Sequence, residues 1–518
     1  MTVKDTSWKL PVLATVFLAA SLGTVTDAAA APHGGDGGAP AVPGRIAHQE
    51  VLWHDCATGP DDADGAALDA AGARCTEITV PLDYGHPSGR TTTVALSRLA
   101  ATDTAHRIGS LFINLGGPAT PDLTTPLLAR QAMGGTGARY DLIGMDPRFT
   151  GRSTPLDCHW PDAWLTRSAG VDRQGFDRMV RQEKQLTADC VRDHADVLPF
   201  VSTTASARDM DVVRSALGDT TTNYLGYSYG TELGAIYAQL FPERAGRIVL
   251  DSSVDPNHPG PAGFARGGAT REAALHTWAD WAAGHDDVYH FGTSGAAVMA
   301  TVERVYRTAA QHPLHIGDFR VDDSTFAGVL LDPLTNDDED GDAQVAGIIA
   351  AFVRAADTGA AEPTPALTDG LTNLLTGTYS ARHSAQTAIM CGDVNVPESP
   401  EYYWRDIQRH RADEPLFGPM VRDITPCAFW PTDHRKEVTE VHNKVPSLVV
   451  GSTGDINATY PMQQAMHRAM GGSRMLTLAG VRTHGVYGFF GSPCVDEKVN
   501  AYLGTGTLPA HDETCDPA

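Results

Sequence analysis

The stretch Thr222-Asn223-Tyr224-Leu225-Gly226-Tyr227-Ser228-Tyr229-Gly230 decides how this chain arranges its chemistry. We predict a strand over residues 222–226 and a helix over residues 232–241, so that a G-x-S-x-G pattern lies in the turn between them. Such a tight turn needs small residues on both sides, and it lifts the serine hydroxyl clear of the sheet. Ser228 is therefore a candidate nucleophile.

Strand-like and helix-like segments alternate through the first half of the chain, which indicates a mostly parallel sheet covered by helices. The first two predicted strands form an antiparallel hairpin, and Ser206–Leu217 has helical periodicity that stops at Gly218. Besides residues 222–226, the predicted strands are Thr76–Val80, Thr92–Leu99, Ser110–Leu115, Tyr140–Met145, Arg247–Leu250, Ser447–Val450 and Met475–Leu478.

The pattern changes between residues 261 and 431, where the chain is Ala-rich, helical in its periodicity and broken by acidic loops such as Asp337-Asp338-Glu339-Asp340. We predict a helical cap over residues 257–440, inserted into a sheet domain made of residues 47–256 and 441–518. Ligands of open α/β sheets bind at the carboxyl ends of the strands. A cap at that edge would wall the binding pocket.

The N-terminus has the pattern of an export signal. Lys4 and Lys9 precede an uncharged apolar run over residues 11–25, and the small-residue stretch 28–31 offers a cleavage site. We predict a signal peptide over residues 1–31 and a loose leader over residues 32–46. No later stretch is long and apolar enough to span a bilayer, so we expect a secreted, extracellular protein without a membrane anchor.

The cysteines agree with export. There are eight, and none forms a C-x-x-C pair, which argues against zinc ribbons and thioredoxin-like sites. Four disulfides are the simplest account in an oxidising compartment, although eight cysteines permit about 105 pairings. Pairing nearest neighbours along the chain gives the hypothesis Cys56–Cys75, Cys158–Cys190, Cys391–Cys427 and Cys494–Cys515.

The charge of the chain excludes two classes of partner. With 63 acidic against 39 basic residues, the formal net charge is −24, and the sequence holds no Lys/Arg-rich run. Nucleic acids and anionic membrane surfaces would be repelled. We find no cluster of metal ligands, and we expect a monomer that requires neither a metal nor an organic cofactor.

A serine hydroxyl is a weak nucleophile, so Ser228 needs a base, and the base needs an orienting carboxylate. His484 follows the predicted strand over residues 475–478 and is the candidate general base. Asp455 follows the strand over residues 447–450 and is the preferred acid. Asp251 directly follows another strand and stays open as the alternative acid.

A tetrahedral intermediate needs two backbone donors directed at its oxyanion. One candidate is the N–H group of Tyr229, because the residue after the nucleophile supplies it in such turns. The other is Gly117 in the turn Gly116-Gly117-Pro118, where the missing side chains let the backbone approach a substrate.

Several further segments complete a pattern that no single motif would carry. They are Val80-Pro81-Leu82-Asp83-Tyr84, Gly116-Gly117-Pro118, Tyr140-Asp141-Leu142-Ile143-Gly144-Met145-Asp146-Pro147-Arg148, Gly226-Tyr227-Ser228-Tyr229-Gly230-Thr231, Cys427-Ala428-Phe429-Trp430-Pro431, and the tail from Ala501-Tyr502-Leu503 to Cys515. Together they resemble the secreted tripeptidyl aminopeptidases of actinobacteria, which are relatives of the proline iminopeptidases. The resemblance covers nearly all of the mature chain. It implies an α/β-hydrolase fold with Ser228, Asp455 and His484 as the triad.

The chain departs from that family pattern at three places. Ala119 follows Gly-Gly-Pro where the family usually has glycine, and Phe149 follows Asp-Pro-Arg where glycine is common. Asp455 is followed by Ile456 rather than proline. These positions concern the oxyanion side and the pocket floor more than the triad, so they bear on the substrate more than on the hydrolase chemistry.

The resemblance implies a serine exopeptidase that releases tripeptides or single residues from free N-termini through an acyl-enzyme on Ser228. Such an enzyme must hold a protonated amine, which calls for carboxylates in the pocket wall. Glu232 on the nucleophile helix and the acidic loop from Asp337 are the candidates. The alternatives are a secreted carboxylesterase with the same triad and a binding protein that keeps the fold without catalysis.

Overall fold

The computed structural model describes residues 41–336, 338–431 and 439–517. The predicted signal peptide and residues 32–40 of the predicted leader lie outside the described residues. Residues 44–47 of the chain begin the described structure with a short helix. No helix in the described ranges has both the length and the apolar character needed to cross a membrane.

Nine of the strands in the described ranges form one sheet in the order β1-β2-β4-β3-β5-β6-β10-β11-β12. Both β1 with β2 and β2 with β4 pair antiparallel, and the remaining neighbours pair parallel. The strands are β1 Arg74–Pro81, β2 Thr91–Leu99, β3 Gly109–Asn114, β4 Tyr140–Met145, β5 Thr222–Tyr227, β6 Ala245–Asp251, β7 Leu314–Ile316, β8 Phe319–Val321, β9 Ala360–Ala361, β10 Ser447–Ser452, β11 Ser473–Leu478 and β12 Glu513–Cys515.

Helices cover this sheet and build the segment between β6 and β10. They are α1 Gly44–Ala47, α2 Ala63–Ala70, α3 Thr125–Met133, α4 Arg173–His194, α5 Thr203–Ala216, α6 Tyr229–Leu240, α7 Pro261–Ala265, α8 Gly268–Gly284, α9 Asp286–Tyr289, α10 Gly295–Gln311, α11 Gly328–Leu334, α12 Glu339–Thr358, α13 Pro365–Leu375, α14 Ser380–Asp393, α15 Pro400–His410, α16 Gly418–Val421, α17 Tyr460–Ala469 and α18 Pro493–Thr505.

The sheet confirms every strand predicted from the sequence to within a few residues. Apolar runs such as those of β3, β5 and β10 are buried on both faces, as strands of a covered parallel sheet must be. The sequence analysis missed the 22-residue helix α4 and the edge strand β12. The parallel strands β5, β6, β10 and β11 bring their carboxyl ends to one edge.

The segment between β6 and β10 is mainly helical and has its own hydrophobic core, which includes Trp278, Phe326 and Phe352. Within it β8, β7 and β9 form a small sheet, which the helical periodicity of the sequence did not indicate. Ala163, from the loop between β4 and α4, packs into the same core. The boundaries 257 and 440 of this cap stay a prediction.

Most of the acidic segment that was predicted as a loop from Asp337 onwards forms the beginning of helix α12. Asp337 lies outside the described residues, while the Asp338 side chain accepts a hydrogen bond from the Gly341 N–H and caps α12. Glu339 and Asp340 occupy the first turn, where acidic side chains stabilise the positive end of a helix. The carboxylates of Asp338, Glu339 and Asp340 do not line the central cavity described below.

The disulfide hypothesis is confirmed at all four pairs, Cys56–Cys75, Cys158–Cys190, Cys391–Cys427 and Cys494–Cys515. The bridges close segments of 19 to 36 residues. One of them joins helix α14, through Cys391, to the turn that contains Cys427. The cap helix that carries Cys391 is thus tied covalently at its C-terminal end.

Candidate active site

Ser228 lies in the turn between β5 and α6 with φ 54° and ψ −126°, a strained conformation for a residue with a side chain. The flanking glycines make this turn possible. A Cβ atom at Gly226 would come within 2.5 Å of the Gly230 carbonyl oxygen, and one at Gly230 within 2.6 Å of the Asn114 carbonyl oxygen. The serine is thus held at the sheet edge by backbone packing that only glycine permits.

The turn after β3 approaches the serine closely. A Cβ at Gly116 would lie 2.6 Å from the Tyr227 carbonyl oxygen and 3.0 Å from the Ser228 Cβ. The next residue, Gly117, lines the same cavity as Ser228. Its carbonyl oxygen accepts a hydrogen bond of 3.0 Å from the Gln386 side chain of α14, which fixes the orientation of the peptide plane.

Tyr229 is the first residue of α6, so its N–H group has no acceptor within the helix. It therefore points a free donor and the positive end of the helix dipole towards the serine. The structure brings both predicted oxyanion donors, Gly117 and Tyr229, to the wall of one cavity with Ser228.

His484 and Asp455 are joined directly. The His484 Nδ1 lies 2.9 Å from the Asp455 Oδ2, and the acid is fully buried. The other oxygen of Asp455 accepts the backbone N–H groups of Asn457 and Ala458, which hold the carboxylate in place. A carboxylate in this position selects the tautomer that leaves Nε2 free to accept a proton.

Asp251, the alternative acid, binds backbone groups rather than the imidazole. Its carboxylate accepts the backbone N–H groups of Val486 and Tyr487, so it anchors the loop that follows His484. Burial raises the pKa of Asp251 to about 6. In this structure Asp251 forms no hydrogen bond with the His484 imidazole. The carboxylate bonded to that ring is Asp455.

The environment of His484 sets its proton affinity. Burial lowers its pKa, but the adjacent charge and hydrogen bond of Asp455 outweigh this effect, so the net pKa is raised above 6.5. The charge of Asp251 acts in the same direction, and that of Arg271 opposes it. The Asp455 carboxylate therefore increases the affinity of the imidazole for the proton that a general base must accept.

A cavity of about 800 Å³ lies between the sheet edge and the cap. Ser228 and His484 both line it, and no hydrogen bond joins their side chains in the described structure. Catalytic hydrogen bonds are often long without substrate and tighten in the complex. The volume is sufficient for several amino-acid residues rather than one small ester.

Glu232 and Asp393 are two of the carboxylates that line the same cavity as Ser228. Glu232, one helical turn after Ser228, is 8% exposed and forms no hydrogen bond within the described residues. Asp393 lies opposite on α14 and accepts hydrogen bonds from the backbone and side chain of Thr203. The sequence analysis proposed Glu232 but missed Asp393, because no motif around residue 393 indicates that α14 turns it towards the serine.

Burial raises the pKa of Glu232 to about 8, and the charge of Asp393 adds to the effect. Burial likewise raises the pKa of Asp393 to about 7, although its bonds to Thr203 oppose the shift. Among the residues that the structure describes, neither carboxyl group forms an ion pair with a cationic side chain. A protonated amine bound between them would satisfy both charges.

Two of the departures from the family pattern occupy glycine-like conformations. Ala119 has φ 65° and Phe149 has φ 67°, both in the left-handed region that glycine adopts most easily. The Phe149 side chain is buried, so its packing offsets the backbone cost. At both positions the backbone thus keeps the left-handed conformation, although the glycine that usually permits this conformation has been replaced.

Family models match two parts of the chain: "alpha/beta hydrolase fold" over residues 111–322 and "TAP-like protein" over residues 414–515. The chain is 31% identical to the tripeptidyl aminopeptidase of Streptomyces coelicolor, with 93% of this chain and 88% of that protein covered. The chain belongs to the tripeptidyl aminopeptidase family. Its peptidase relatives and the matching hydrolase model show that it is a serine hydrolase, and the mostly parallel sheet confirms the predicted α/β-hydrolase fold.

Other relatives of the chain are named for different activities. The serine protease Hip1 of Mycobacterium tuberculosis is 31% identical, with 90% of this chain and 91% of that protein covered. Carboxylesterase B of the same organism is 29% identical, with 93% of both chains covered. Peptidase and esterase names therefore occur at nearly equal distance from this member.

Proposed function

We propose that this protein is a secreted, monomeric serine aminopeptidase that releases short peptides from free N-termini through an acyl-enzyme on Ser228. The observation that carries the proposal is the shared cavity, in which the serine and His484 lie beside the unpaired carboxyl of Glu232 and that of Asp393. An esterase pocket has no need of two carboxylates in its wall. The peptidase names of the relatives support the same assignment.

The proposed mechanism uses the groups already described. Ser228 Oγ attacks the scissile carbonyl while His484 Nε2 takes its proton, and the Asp455 carboxylate stabilises the imidazolium. The N–H groups of Gly117 and Tyr229 bind the oxyanion. His484 then gives the proton to the leaving amine, and a water molecule deprotonated by the same imidazole hydrolyses the acyl-enzyme.

In this proposal Glu232 and Asp393 bind the substrate ammonium group. Gln386, bonded to the Gly117 carbonyl, marks the position of the reaction centre along α14. Asp393 lies seven residues further, about 10 Å along the helix axis at 1.5 Å per residue. Three extended residues span about the same length, which favours tripeptide release over single-residue release.

Secretion is part of the proposal. Four disulfides stabilise proteins in oxidising compartments and are rare in the cytosol. The basic, apolar and small-residue pattern of residues 1–31 supplies the matching export signal. Detection of a mature protein that begins after residue 31 in the culture medium would support this assignment.

The direct test compares a tripeptidyl aminocoumarin with its N-acetylated form. We expect efficient hydrolysis of the free amine and almost none of the blocked substrate, since acetylation removes the charge that the carboxylates bind. Ser228→Ala should lose about 10⁴–10⁶ in rate for the free substrate. Equal turnover of free and blocked substrates, or wild-type activity in the serine variant, would contradict the proposal, and the first result would favour a carboxylesterase.

Glu232→Gln tests the amine site. We expect KM for the free tripeptidyl substrate to rise about tenfold or more, because one charge-assisted bond is lost, with little change in kcat. Glu243→Gln, on the exposed turn after α6, is the matched control and should behave as wild type. An unchanged KM in the Glu232 variant would exclude this residue from amine binding.

A further inference from the structure

Helix α14 presents one continuous stripe of side chains to the cavity. Within α14, Arg382, His383, Gln386, Met390 and Asp393 line it, and at 100° per residue these positions fall within a sector of about 100°. The stripe runs past the reaction centre, because Gln386 bonds the Gly117 carbonyl in the turn beside Ser228. The two ends of the stripe carry opposite charges, with Asp393 at one and Arg382 at the other.

Along α14, Arg382 lies before Gln386 and Asp393 lies after it, so the two charges are on opposite sides of the reaction centre. The carboxyl of Asp332 also lines the cavity, and although burial raises its pKa, the positive charges of Arg382 and His484 oppose that shift. Both cations therefore lie within electrostatic range of one carboxyl group. The pKa of Glu232 is affected by Asp393 and by neither of these cations. The imidazole must face the leaving amine in order to protonate it, so Arg382 lies on the leaving-peptide side.

The Arg382 side chain lines the cavity and is exposed to solvent, and its guanidinium forms neither an ion pair nor a hydrogen bond with any described residue. Asp332 lines the same cavity but forms no ion pair with Arg382. Arginine binds carboxylates in a bidentate manner that lysine cannot reproduce. An unpaired guanidinium in a cavity that receives peptides thus points to an anionic group on the substrate.

We propose that Arg382 binds the C-terminal carboxylate of the leaving peptide, so that the enzyme selects short peptides with both ends free. The inference rests on the proposed aminopeptidase function and extends it to the leaving side of the cavity. Arg382 lies four residues before Gln386, about 6 Å along the helix axis, which corresponds to roughly two extended residues. A pentapeptide cleaved after its third residue would place its carboxylate at Arg382.

The experiment compares penta-alanine with its C-terminal amide, both with free N-termini, by chromatography of the products. We expect kcat/KM for the free acid to exceed that for the amide by roughly five- to tenfold, the order expected for a partly solvated charge-assisted contact. In Arg382→Gln the ratio should fall to about one. A deca-alanine acid and amide pair should show no preference in either protein, because its carboxylate lies beyond the arginine.

The matched control is Arg354→Gln, an exposed arginine on α12 that does not line the cavity; it should keep the wild-type ratio. A tripeptidyl aminocoumarin, whose leaving group has no carboxylate, should be cleaved equally by wild type and Arg382→Gln. Equal kcat/KM for penta-alanine acid and amide in wild type would overturn the proposal, and so would a preference that persists in Arg382→Gln. Failure to cleave the aminocoumarin substrate would instead contradict the aminopeptidase function itself.

Discussion

At the scale of single residues, the site depends on backbone positions where a side chain is either excluded or tolerated under strain. Ser228 holds a left-handed conformation at the point where β5 becomes α6. Gly116 packs against it so closely that an added methyl group would overlap backbone atoms. Strain of this kind is retained at functional sites when the surrounding structure enforces it.

Gly116→Ala should therefore lower kcat/KM by about 100-fold or more, because the oxyanion turn must shift by an ångström or so to admit the new Cβ. Gly72→Ala is the matched control, since Gly72 also has a positive φ, of 78°, but an added Cβ there would meet no atom within 4 Å. Both variants share the left-handed strain, and only the first has the overlap. Equal activity in the two would show that the close approach does not matter.

Asp455→Asn should lower kcat by about 10³–10⁴, because the amide no longer stabilises the imidazolium. Since the charge of Asp455 raises the His484 pKa above 6.5, the acid limb of the kcat/KM profile should move to lower pH in the variant. The unfolding free energy gives a second measurement. A raised histidine pKa contributes stability below pH 6.5 that disappears as pH rises through the folded value, so the variant should lose more stability at pH 6 than at pH 9. An unshifted acid limb would contradict the assignment of the acid.

At the scale of elements, a buried ion pair and its hydrogen bonds connect the ends of neighbouring strands and helices. Arg148, which follows β4, forms a fully buried bidentate ion pair with Asp209 of α5. Its remaining donors bind the carbonyl oxygens of Pro81, Leu82 and Phe200. One guanidinium thus joins the end of β1, the loop after β4 and helix α5 beneath the cap.

Arg148→Met should reduce the unfolding free energy by about 3–5 kcal/mol, because it leaves the Asp209 carboxylate buried without its partner. Arg90→Met serves as the comparison, since Arg90 forms an exposed ion pair with Asp196 and should cost no more than about 1 kcal/mol. Urea denaturation of both variants measures the difference. Similar losses in the two would mean that burial does not determine the strength of the Arg148 tether.

At the scale of the whole molecule, the disulfides differ in whether they affect only the stability of the fold or also the geometry of the site. Cys391 lies two residues before Asp393 on α14, so its bridge to Cys427 holds the end of the helix that faces the nucleophile. The Cys494–Cys515 bridge joins α18 to β12 at the sheet edge instead. Their positions predict different consequences when either bridge is removed.

Replacing either pair by alanine should lower the unfolding free energy by on the order of 2–4 kcal/mol. Only the Cys391→Ala/Cys427→Ala variant should also raise KM for a free tripeptidyl substrate, because the Asp393 carboxylate loses its fixed position. The Cys494→Ala/Cys515→Ala variant should keep the wild-type KM. A raised KM in both, or in neither, would show that the bridge in α14 does not position the amine site.

The sequence by itself determined the sheet and the turn around Ser228, because each is encoded by local signals: apolar runs of strand length and glycines around a serine. The nearest-neighbour disulfide pairing was only one hypothesis among about 105, and the tertiary structure selected it by bringing those cysteines together. The sequence also proposed Asp455 and His484, since both follow strands that end at one edge. It favoured Asp455 over Asp251 without excluding Asp251, because that choice depends on side-chain direction across the sheet edge. Only the tertiary structure showed that Asp393 and Arg382 line the cavity. The packing of α14 places one face of that helix beside a serine that is more than 150 residues away in the chain.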